Sequence, residues 1–428
     1  MRKFDKSMAF LARAEKVIPL GSQTFSKSRT QYPYGVSPYF ITRASGSRVW
    51  DLDGNEYIDF VNSLAAVTLG YQDADVTQAV KDQLESGVIF SLPHPLETEV
   101  AELICELVPC AELVRFGKNG SDATSGAIRL ARAFTTRDHV AVCGYHGWQD
   151  WYIGSTARNR GVPKATQELT HTFAYNDLDS LASVFKQHPG AVAAVIMEPM
   201  NVVDPAPGFL EGVKALTHDH GALLVFDETI TGFRFAIGGA QAHFGVTPDL
   251  ASFGKGLANG YPLSAVAGRR DVMKLMEEIF FSFTFGGEAL SLAAAKATLT
   301  KLRTKPIIAT MAQRGAEIVV GTRQIIDGNG LADVFAVSGH PTWSFLRLFD
   351  ARGHSAFEIK TILMQELHQR GILSVGTHNI SYAHSPADVA ALTGAYGEIL
   401  PEIGKLLDSG TLKKAMRGAP LVPLFKLR

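Results

Sequence analysis

The chain has 428 residues, of which 46% are hydrophobic, and its 41 basic side chains nearly balance its 42 acidic ones. That length and apolar content suffice for a large core spread over two or three domains. The balanced charge and the lack of basic runs argue against a nucleic-acid partner, and no apolar run reaches the ~20 residues that cross a bilayer.

The cysteines and the N-terminus bear on the compartment. Cys105, Cys110 and Cys143 show neither Cys-x-x-Cys spacing nor an even count, which favours free thiols over disulfides or a metal site. Arg13 and Lys16 interrupt the first apolar stretch before it could serve as a signal peptide. We therefore expect a soluble, cytoplasmic protein that has no membrane association and no metal ligands.

The pattern in chain order predicts three segments. Residues 1–75 are typical of a helix followed by short strands, with a hairpin over 49–59, and we expect them to join a small domain. Alternating strands and helices over 76–300 predict a large α/β domain with a mostly parallel, doubly wound sheet. Residues 301–428 predict the rest of a small α+β domain.

The large domain contains four apolar runs that predict buried strands. They cover residues 113–116, 140–143, 191–197 and 222–226. Polar or glycine-rich pairs follow these runs, namely Gly120-Ser121, Tyr145-His146, Glu198-Pro199 and Asp227-Glu228. Because ligands of open α/β sheets bind outside the carboxyl ends of the strands, the sequence predicts a cofactor site there.

Lys255 lies between Gly254 and Gly256, downstream of the run that ends in Asp227. An unhindered lysine can form a Schiff base with pyridoxal phosphate, while a carboxylate can pair with the pyridinium nitrogen. That pairing lets the ring accept electrons from a substrate carbanion. The two residues together predict a pyridoxal phosphate enzyme, although each alone is also typical of a solvated loop or a strand end.

Gly120 and Ser121 precede apolar residues at helical spacing over 123–134, so they open a predicted helix. Free backbone N–H groups and the helix dipole can hold a phosphate there. The alternative is an ordinary helix start capped by Ser121 or Asp122. Tyr145 is placed to stack on a planar cofactor ring, or else to pack in the core.

These landmarks, in this order, resemble the class III, ornithine/GABA-type aminotransferases of fold-type I, and the resemblance spans nearly the whole chain. The motifs that carry it are Gly120-Ser121, Tyr145-His146-Gly147, Glu198-Pro199, the segment 227–234 and Gly254-Lys255-Gly256. Residues 238–250 and 379–385 look most like glutamate-1-semialdehyde aminomutases. The resemblance implies a large domain with a mostly parallel sheet beside a small α+β domain.

The resemblance also implies roles for individual residues. Lys255 would form the Schiff base and move protons, while Asp227 would pair with the pyridinium nitrogen. The other implied cofactor contacts are Gly120 and Ser121 at the phosphate, Tyr145 and Thr229 at the two ring faces, and His146 and Glu198. Thr284 matches a threonine that reaches the neighbouring subunit's phosphate, which implies a homodimer; the alternative is a polar loop residue.

Departures from the aminomutases bear on the substrate. Lys27 stands where they carry a carboxylate-binding arginine, and Gly376 where they carry an acidic gating residue. A point charge replaces a bidentate fork, although Lys27 or Arg234 could still bind a carboxylate from another angle.

Such a pattern is similar to aminomutase-like aminotransferases of polysaccharide or amino-sugar biosynthesis. We accordingly expect Thr24, Lys27 and Trp148 to contact a sugar-like acceptor. Alternatively, the tryptophans at 148 and 151 are core anchors.

The resemblance predicts transamination between a small-molecule amino donor, for which glutamate is a candidate, and a carbonyl acceptor. Glutamate-1-semialdehyde 2,1-aminomutase activity is the nearest alternative. An inactive scaffold on the same fold is a second alternative, against which Lys255 and Asp227 argue. A phosphate-binding oxidoreductase is a third, but 117–122 lacks the Gly-x-Gly-x-x-Gly pattern.

Overall fold

The computed structural model describes residues 2–422. The chain divides into two compact units. The large unit comprises 65–67 and 74–308, and the small unit comprises the described residues up to 64, 68–73 and those from 309 onwards. The small unit is thus built from both ends of the chain.

The strands, in chain order, are β1 (Ile41–Ser45), β2 (Arg48–Asp51), β3 (Glu56–Asp59), β4 (Leu113–Gly117), β5 (His139–Cys143), β6 (Thr170–Thr172), β7 (Val192–Met197), β8 (Leu223–Asp227), β9 (Leu250–Phe253), β10 (Ser264–Gly268), β11 (Phe335–His340), β12 (Trp343–Leu348), β13 (Ile372–Leu373) and β14 (Thr377–Asn379).

The helices are α1 (Asp5–Ala14), α2 (Asn62–Ala65), α3 (Ala74–Ser86), α4 (Pro95–Leu107), α5 (Gly120–Thr135), α6 (Asp150–Ile153), α7 (Lys164–Gln167), α8 (Leu178–Gln187), α9 (Phe209–Asp219), α10 (Gly239–Phe244), α11 (Arg270–Met273), α12 (Ala289–Thr304), α13 (Ile307–Gly328), α14 (Ala356–Gln369), α15 (Pro386–Asp408) and α16 (Leu412–Ala415). Among them, α2 is a single turn with positive φ angles.

The large unit is built on a seven-stranded sheet of order β4-β10-β9-β8-β7-β5-β6. All neighbours from β9 to β6 run parallel, whereas β10 is antiparallel to both β4 and β9. The four apolar runs of the sequence are β4, β5, β7 and β8. The prediction of a mostly parallel sheet is confirmed.

Helices cover both faces of this sheet, which explains why the central strands are apolar throughout. Alternate residues of β7 enter opposite cores. Ala194 and Ile196 pack with α5, whereas Val195 and Met197 pack with α8 and α9. Each fully buried aliphatic side chain contributes roughly 1.5–3 kcal/mol of transfer free energy, so the strand positions at the sheet centre are strongly fixed.

The small unit holds a four-stranded sheet, β1-β2-β3-β13, and a three-stranded sheet, β11-β12-β14. The hairpin predicted from 49–59 is β2 and β3, which pair antiparallel around Gly54 at φ +90°. Two helices of the small unit, α14 and α15, each begin at a capping box, Ser355 with Glu358 and Ser385 with Asp388.

Among residues 2–422, no helix combines the length and the apolar character that crossing a bilayer requires. The three cysteines are free thiols, and burial raises the pKa of the Cys110 and Cys143 thiols to about 12. Both are therefore protonated near neutral pH, and neither is a reactive thiolate.

Candidate active site

Three neighbouring strands deliver the candidate residues to one edge of the large sheet. In the order β8-β7-β5, these strands run parallel, so their carboxyl ends lie side by side. Asp227 is the last residue of β8, Glu198 follows β7, and Tyr145 and His146 follow β5. The parallel register therefore brings these predicted residues to the same edge of the sheet.

The Asp227 carboxylate is buried and accepts hydrogen bonds on both oxygens. His146 Nδ1 contacts Oδ2 at 2.9 Å, and the hydroxyls of Thr229 and Ser252 donate to Oδ1 at 2.6 and 2.9 Å. Burial acts to raise the pKa of Asp227, but the His146 and Thr229 contacts outweigh it and lower that pKa. The carboxylate is therefore held ionised, as pairing with a pyridinium requires.

Glu198 is a second buried carboxylate at this edge. Its Oε2 accepts the Tyr145 N–H at 3.0 Å and the Asn201 side-chain amide at 2.6 Å. Burial raises the pKa of Glu198, and the charge of Asp227 adds to that rise. Gly144, at φ +107°, lets the chain pass so close that an added Cβ would lie 2.5 Å from Glu198 Oε2. Glu198 thereby fixes the turn that presents Tyr145.

Lys255 follows β9 and begins a short 3-10 turn at φ +42°, a left-handed conformation that costs a non-glycine residue about 1–2 kcal/mol. The side chain is partly buried. Burial lowers the pKa of Lys255, while Glu198 and Asp227 act to raise it and Arg234 acts to lower it. The net lowering favours the neutral amine that can attack an aldehyde.

The start of α5 is the predicted phosphate position. The N-cap residue is Asn119, and the Asp122 side chain at the third helical position accepts the N–H groups of Lys118 and Asn119. Ser121 Oγ instead accepts the Trp148 N–H at 3.3 Å, so neither Ser121 nor Asp122 is the N-cap. A Cβ added to Gly120 would meet the Thr229 methyl at 2.9 Å, so close packing requires glycine there. The first N–H groups of an α-helix generally lack an intrahelical acceptor, and such a helix start suits an anion.

The aromatic residues after β5 have different environments. Tyr145 is 47% exposed, so its ring has a face available for a planar ligand. Trp151 is buried, and its indole N–H donates to Ser125 Oγ at 2.9 Å. Trp148, in contrast, is 64% exposed. The core-anchor alternative therefore holds for Trp151 and fails for Trp148.

The remaining predicted residues are Thr284, Thr24 and Lys27. Thr284 is an exposed residue of the large unit. Thr24 and Lys27 belong to the small unit, where Thr24 Oγ1 accepts the Lys27 N–H at 3.1 Å. Lys27 lines a small-unit cavity of about 410 Å³ together with Tyr39 and Asp59. Burial raises the pKa of Asp59, and the Tyr71 hydroxyl donates to its carboxylate at 2.7 Å.

Two polar residues of the site escaped sequence reasoning. Ser252 reaches Asp227 because it lies directly opposite it in the pairing of β8 with β9. Asn201 reaches Glu198 three residues along the chain. The sequence does not show which residues of two strands lie opposite each other, so the contact of Ser252 could not be predicted from it. Asn201 could have been found, because it follows the Glu198-Pro199 pair closely.

Comparison with known proteins identifies the family. The profile of the class-III aminotransferases matches residues 31–379. The chain belongs to the class-III aminotransferases. It is similar to the 3-aminobutyryl-CoA aminotransferase of Cloacimonas acidaminovorans (strain Evry), with 33% identity over 95% of this chain and 99% of that one.

Two further relatives extend this picture. The glutamate-1-semialdehyde 2,1-aminomutase 1 of Bacillus cereus (strain G9842) is 35% identical over 92% of this chain and 98% of its own. The structure of the FumI protein of Sphingopyxis sp. MTA144, in its PLP internal aldimine form, superposes with a TM-score of 0.87 at 29% identity, covering 97% and 99% of the two chains.

The predictions of a pyridoxal phosphate cofactor and of aminotransferase activity are thereby confirmed. The site has the features this cofactor needs. The large unit contains a lysine whose pKa is lowered, a carboxylate that is held ionised and a helix start where close packing requires glycine. These groups fit, in that order, the aldehyde, the ring nitrogen and the phosphate of the cofactor.

The adjacent carboxylates of Asp227 and Glu228, at the end of β8, have different hydrogen-bond partners. Unlike Asp227, Glu228 accepts hydrogen bonds mainly from fixed N–H donors, including the Gln241 backbone and side-chain amides at 3.1 and 3.0 Å. Gly239, at φ +79°, lets the chain turn against it, since an added Cβ would lie 2.2 Å from Glu228 Oε2. Glu228 thus holds the start of α10 to the end of β8.

We predict opposite outcomes for the two isosteric substitutions. Glu228→Gln brings an NH₂ group against amide donors that cannot reorient, which costs roughly 1–3 kcal/mol of unfolding free energy per unsatisfied donor. Asp227→Asn can keep its carbonyl oxygen toward the Thr229 N–H and the two hydroxyls and turn its NH₂ group toward the His146 ring, so it lowers the rate by orders of magnitude while the fold is kept. Thermal denaturation and turnover of both variants measure this. A less stable Asp227→Asn beside an unaffected Glu228→Gln would contradict it.

Proposed function

We propose that Lys255 and Asp227 are the catalytic residues of a transamination in two half-reactions. When bound, pyridoxal phosphate supplies an aldehyde that takes up and returns the amino group and a ring that accepts electrons. The observation that carries the proposal is the ionised, four-times hydrogen-bonded Asp227 carboxylate in the same unit as a lysine whose pKa is lowered.

Each residue has a distinct task in this proposal. The Lys255 amine carries a proton between the substrate carbon and the cofactor carbon, and it does so as a neutral base that burial favours. Asp227 keeps the ring nitrogen protonated, since its own pKa is lowered and it does not take the proton for itself. His146 and Ser252 position Asp227.

The remaining contacts orient the ring. The N–H groups of Gly120 and Ser121 at the positive end of α5 hold the phosphate, as the helix dipole favours. Tyr145 covers one face and Thr229, fixed by its hydrogen bond to Asp227, lies by the other. Glu198 holds the Tyr145 backbone, and it acts on the ring only through that turn.

The assignment of Lys255 has a direct test. Borohydride reduction of the holoenzyme fixes the cofactor to the attacking lysine, and peptide mass mapping is expected to find it on Lys255. Lys255→Ala is expected to lose turnover and the fixed label, yet to retain cofactor that dialysis removes, because the phosphate and ring contacts come from other segments. Lys274→Ala, in the same unit, serves as the control that keeps both. A label on another lysine would refute the assignment.

We also propose a homodimer in which Thr284 contacts the cofactor phosphate of the partner subunit. Thr284 lies among exposed aromatic residues, with Phe280 82% and Phe285 57% exposed, and Leu92 elsewhere in the unit is 79% exposed. Such a density of exposed apolar side chains is typical of a protein interface. The proposal rests on this surface and on the family resemblance.

Subunit mixing tests the shared site. Thr284→Ala is expected to weaken cofactor retention, because a lost hydrogen bond to a charged group costs roughly 1.5–3 kcal/mol. Mixed dimers of Thr284→Ala with Lys255→Ala rebuild one complete site, so activity at limiting cofactor is expected to recover on mixing. A mixture of Lys255→Ala with Asp227→Asn is the matched control. Because both residues are proposed to serve the site of their own chain, neither site of that mixed dimer is complete, and no recovery is expected. No recovery in the first mixture, or a fully active monomer in sedimentation, would contradict the proposal.

For the substrate, we propose a compound whose reacting amine lies on a carbon remote from its acyl group. The names of two relatives described above contain such compounds. The amine of 3-aminobutyryl-CoA is on carbon 3, and the carboxylate of glutamate 1-semialdehyde is at the opposite end of the molecule from its aldehyde. Lys27, exposed at the mouth of its cavity, is a point charge suited to a carboxylate or phosphate. Arg234 is 1% exposed and donates to the Ala65 carbonyl, so it is already engaged.

Intermolecular transfer is favoured over the aminomutase reaction by Gly376. This residue has φ +89°, and its N–H donates to Ser374 Oγ at 3.1 Å, so the turn there is built for glycine. An acidic side chain, as the resemblance places at this position in aminomutases, would be strained in that conformation. The second candidate, a sugar-like acceptor, is favoured by the broad exposed face of Trp148.

A half-reaction screen decides among these substrates. Purified holoenzyme is mixed with 3-aminoacids and their thioesters, glutamate, amino sugars or glutamate 1-semialdehyde, and the cofactor absorbance is followed. We expect the 3-amino compounds to react fastest, and Lys27→Gln to raise KM about tenfold or more for anionic donors while Lys16→Gln, an exposed lysine of the same unit, does not. Faster reaction of amino sugars would favour the second candidate, and conversion of glutamate 1-semialdehyde to 5-aminolevulinate without added donor would restore the aminomutase.

A further inference from the structure

Three histidines gather in the large unit at a distance from the residues described above. His139, His171 and His188 each place a ring nitrogen within 4.8 Å of the others. We call them the histidine cluster. They are separated by 32 and 17 residues along the chain, so the fold and not local sequence brings them together. None of them has a role in the transamination proposed above.

The backbone positions of the cluster are set by one sheet face. His139 is the first residue of β5, and β6 places His171 opposite Ala141 in the parallel register. Because side chains two apart on a strand share a face, His139 and His171 both lie on the face that Ala141 occupies. The helix α8 packs on that same face through Leu181, Val184 and Phe185, and His188 is its C-cap. Two strands and a helix thus each contribute one imidazole.

This position is at the opposite end of β5 from the cofactor residues. Tyr145 and His146 follow the carboxyl end of the strand, whereas His139 begins it. A ligand at the histidine cluster therefore leaves the cofactor site free. The three rings are partly exposed, so solvent and small ions reach them from outside the unit.

The rings are already close to the separation that a metal ion demands. His139 Nδ1 and His171 Nε2 are 2.8 Å apart, and the ring centroids of His171 and His188 are 3.9 Å apart. For Zn–N bonds of 2.0–2.1 Å, tetrahedral ligands have nitrogen atoms about 3.3 Å apart. The rings stack within 10° to 26° of parallel, so binding requires each to rotate until its lone pair points to a common centre. Partial exposure leaves room for that rotation.

We propose that the histidine cluster binds one Zn²⁺, or a divalent ion of similar preference such as Ni²⁺ or Cu²⁺, through its three imidazoles. Imidazole suits these ions, and three histidines with water in the fourth position form a complete tetrahedral set. A neutral imidazole has one ring nitrogen whose lone pair can bind a metal ion. Oxygen-preferring Mg²⁺ and Ca²⁺ are poor fits, because the set has no carboxylate.

The expected consequence is structural. An ion held by the histidine cluster joins β5, the edge strand β6 and the end of α8. The three-residue β6 pairs with β5 alone, so such a link stabilises the margin of the sheet. Any ligand that binds the folded state but not the unfolded state raises the melting temperature with its concentration.

Zinc binding to tag-free holoenzyme tests the proposal, after treatment with a chelator and with cofactor loaded equally in every sample. Competition with a chromophoric zinc chelator at pH 7.5 is expected to give one tight equivalent per chain. His171→Gln and His188→Gln are expected to weaken that equivalent at least about tenfold, as loss of a ligand costs no less than loss of its supporting partner. Zinc is also expected to raise the melting temperature of the unaltered protein and not that of either variant.

The matched control is His220→Gln, which removes a histidine exposed near the end of α9 and stacked on Phe185, outside the cluster. This variant retains the cofactor and all cysteine thiols. Any zinc that binds to those groups is therefore the same in every sample and does not affect the comparison. The control is expected to bind zinc as the unaltered protein does. Equal zinc affinity in all four proteins, or no tight equivalent in the unaltered protein, would overturn the proposal; turnover with cofactor is expected to be the same in all four.

Discussion

The buried carboxylate of Asp227 is the contact on which the rest of the site depends. Removing a carboxylate from water is costly unless its oxygens receive hydrogen bonds. Donors from three separate segments meet that requirement here, namely His146 after β5, Thr229 after β8 and Ser252 on β9. Satisfying the charge therefore fixes where these three segments lie, and with them the positions of Tyr145 and Lys255.

Asp227 and the next residue, Glu228, show how the surroundings of a buried carboxylate determine its role. Asp227 and Glu228 are both buried, yet the His146 and Thr229 contacts outweigh burial and lower the pKa of Asp227, whereas burial raises the pKa of Glu228. Asp227 receives one backbone N–H, two hydroxyls and an imidazole contact, whereas both oxygens of Glu228 accept backbone N–H groups at the start of α10. One carboxylate is left available for a ligand, and the other is committed to the backbone of α10.

Loops that follow strands of the large sheet contain residues with left-handed backbone. Lys255 and the glycines 144 and 147 have positive φ angles, and each stands in a loop that follows a strand of the large sheet. The buried strands β7, β8 and β9 anchor these loops on both faces of the sheet, and their packing energy exceeds the cost of a few strained residues. The rigid sheet is what allows a lysine to be held in a left-handed turn.

The sequence by itself determined the strands, the main helices and the residues at the strand ends. Those signals are local: a continuous apolar run such as 191–197 marks a strand buried on both faces, and a glycine beside Lys255 marks a loop. Gly120, Tyr145, Asp227 and Lys255 were therefore identifiable, and the order of their motifs was enough to indicate the family.

Only the tertiary structure decided what depends on register and burial. Ser252 meets Asp227 through strand pairing, Trp148 is exposed while Trp151 is buried, and His139 meets two histidines from distant segments. The local sequence pattern does not predict these contacts and exposures, because they depend on residues that are distant in the chain and on how the sheet and its helices pack. Local preference sets the elements; the packing of their faces sets which side chains meet.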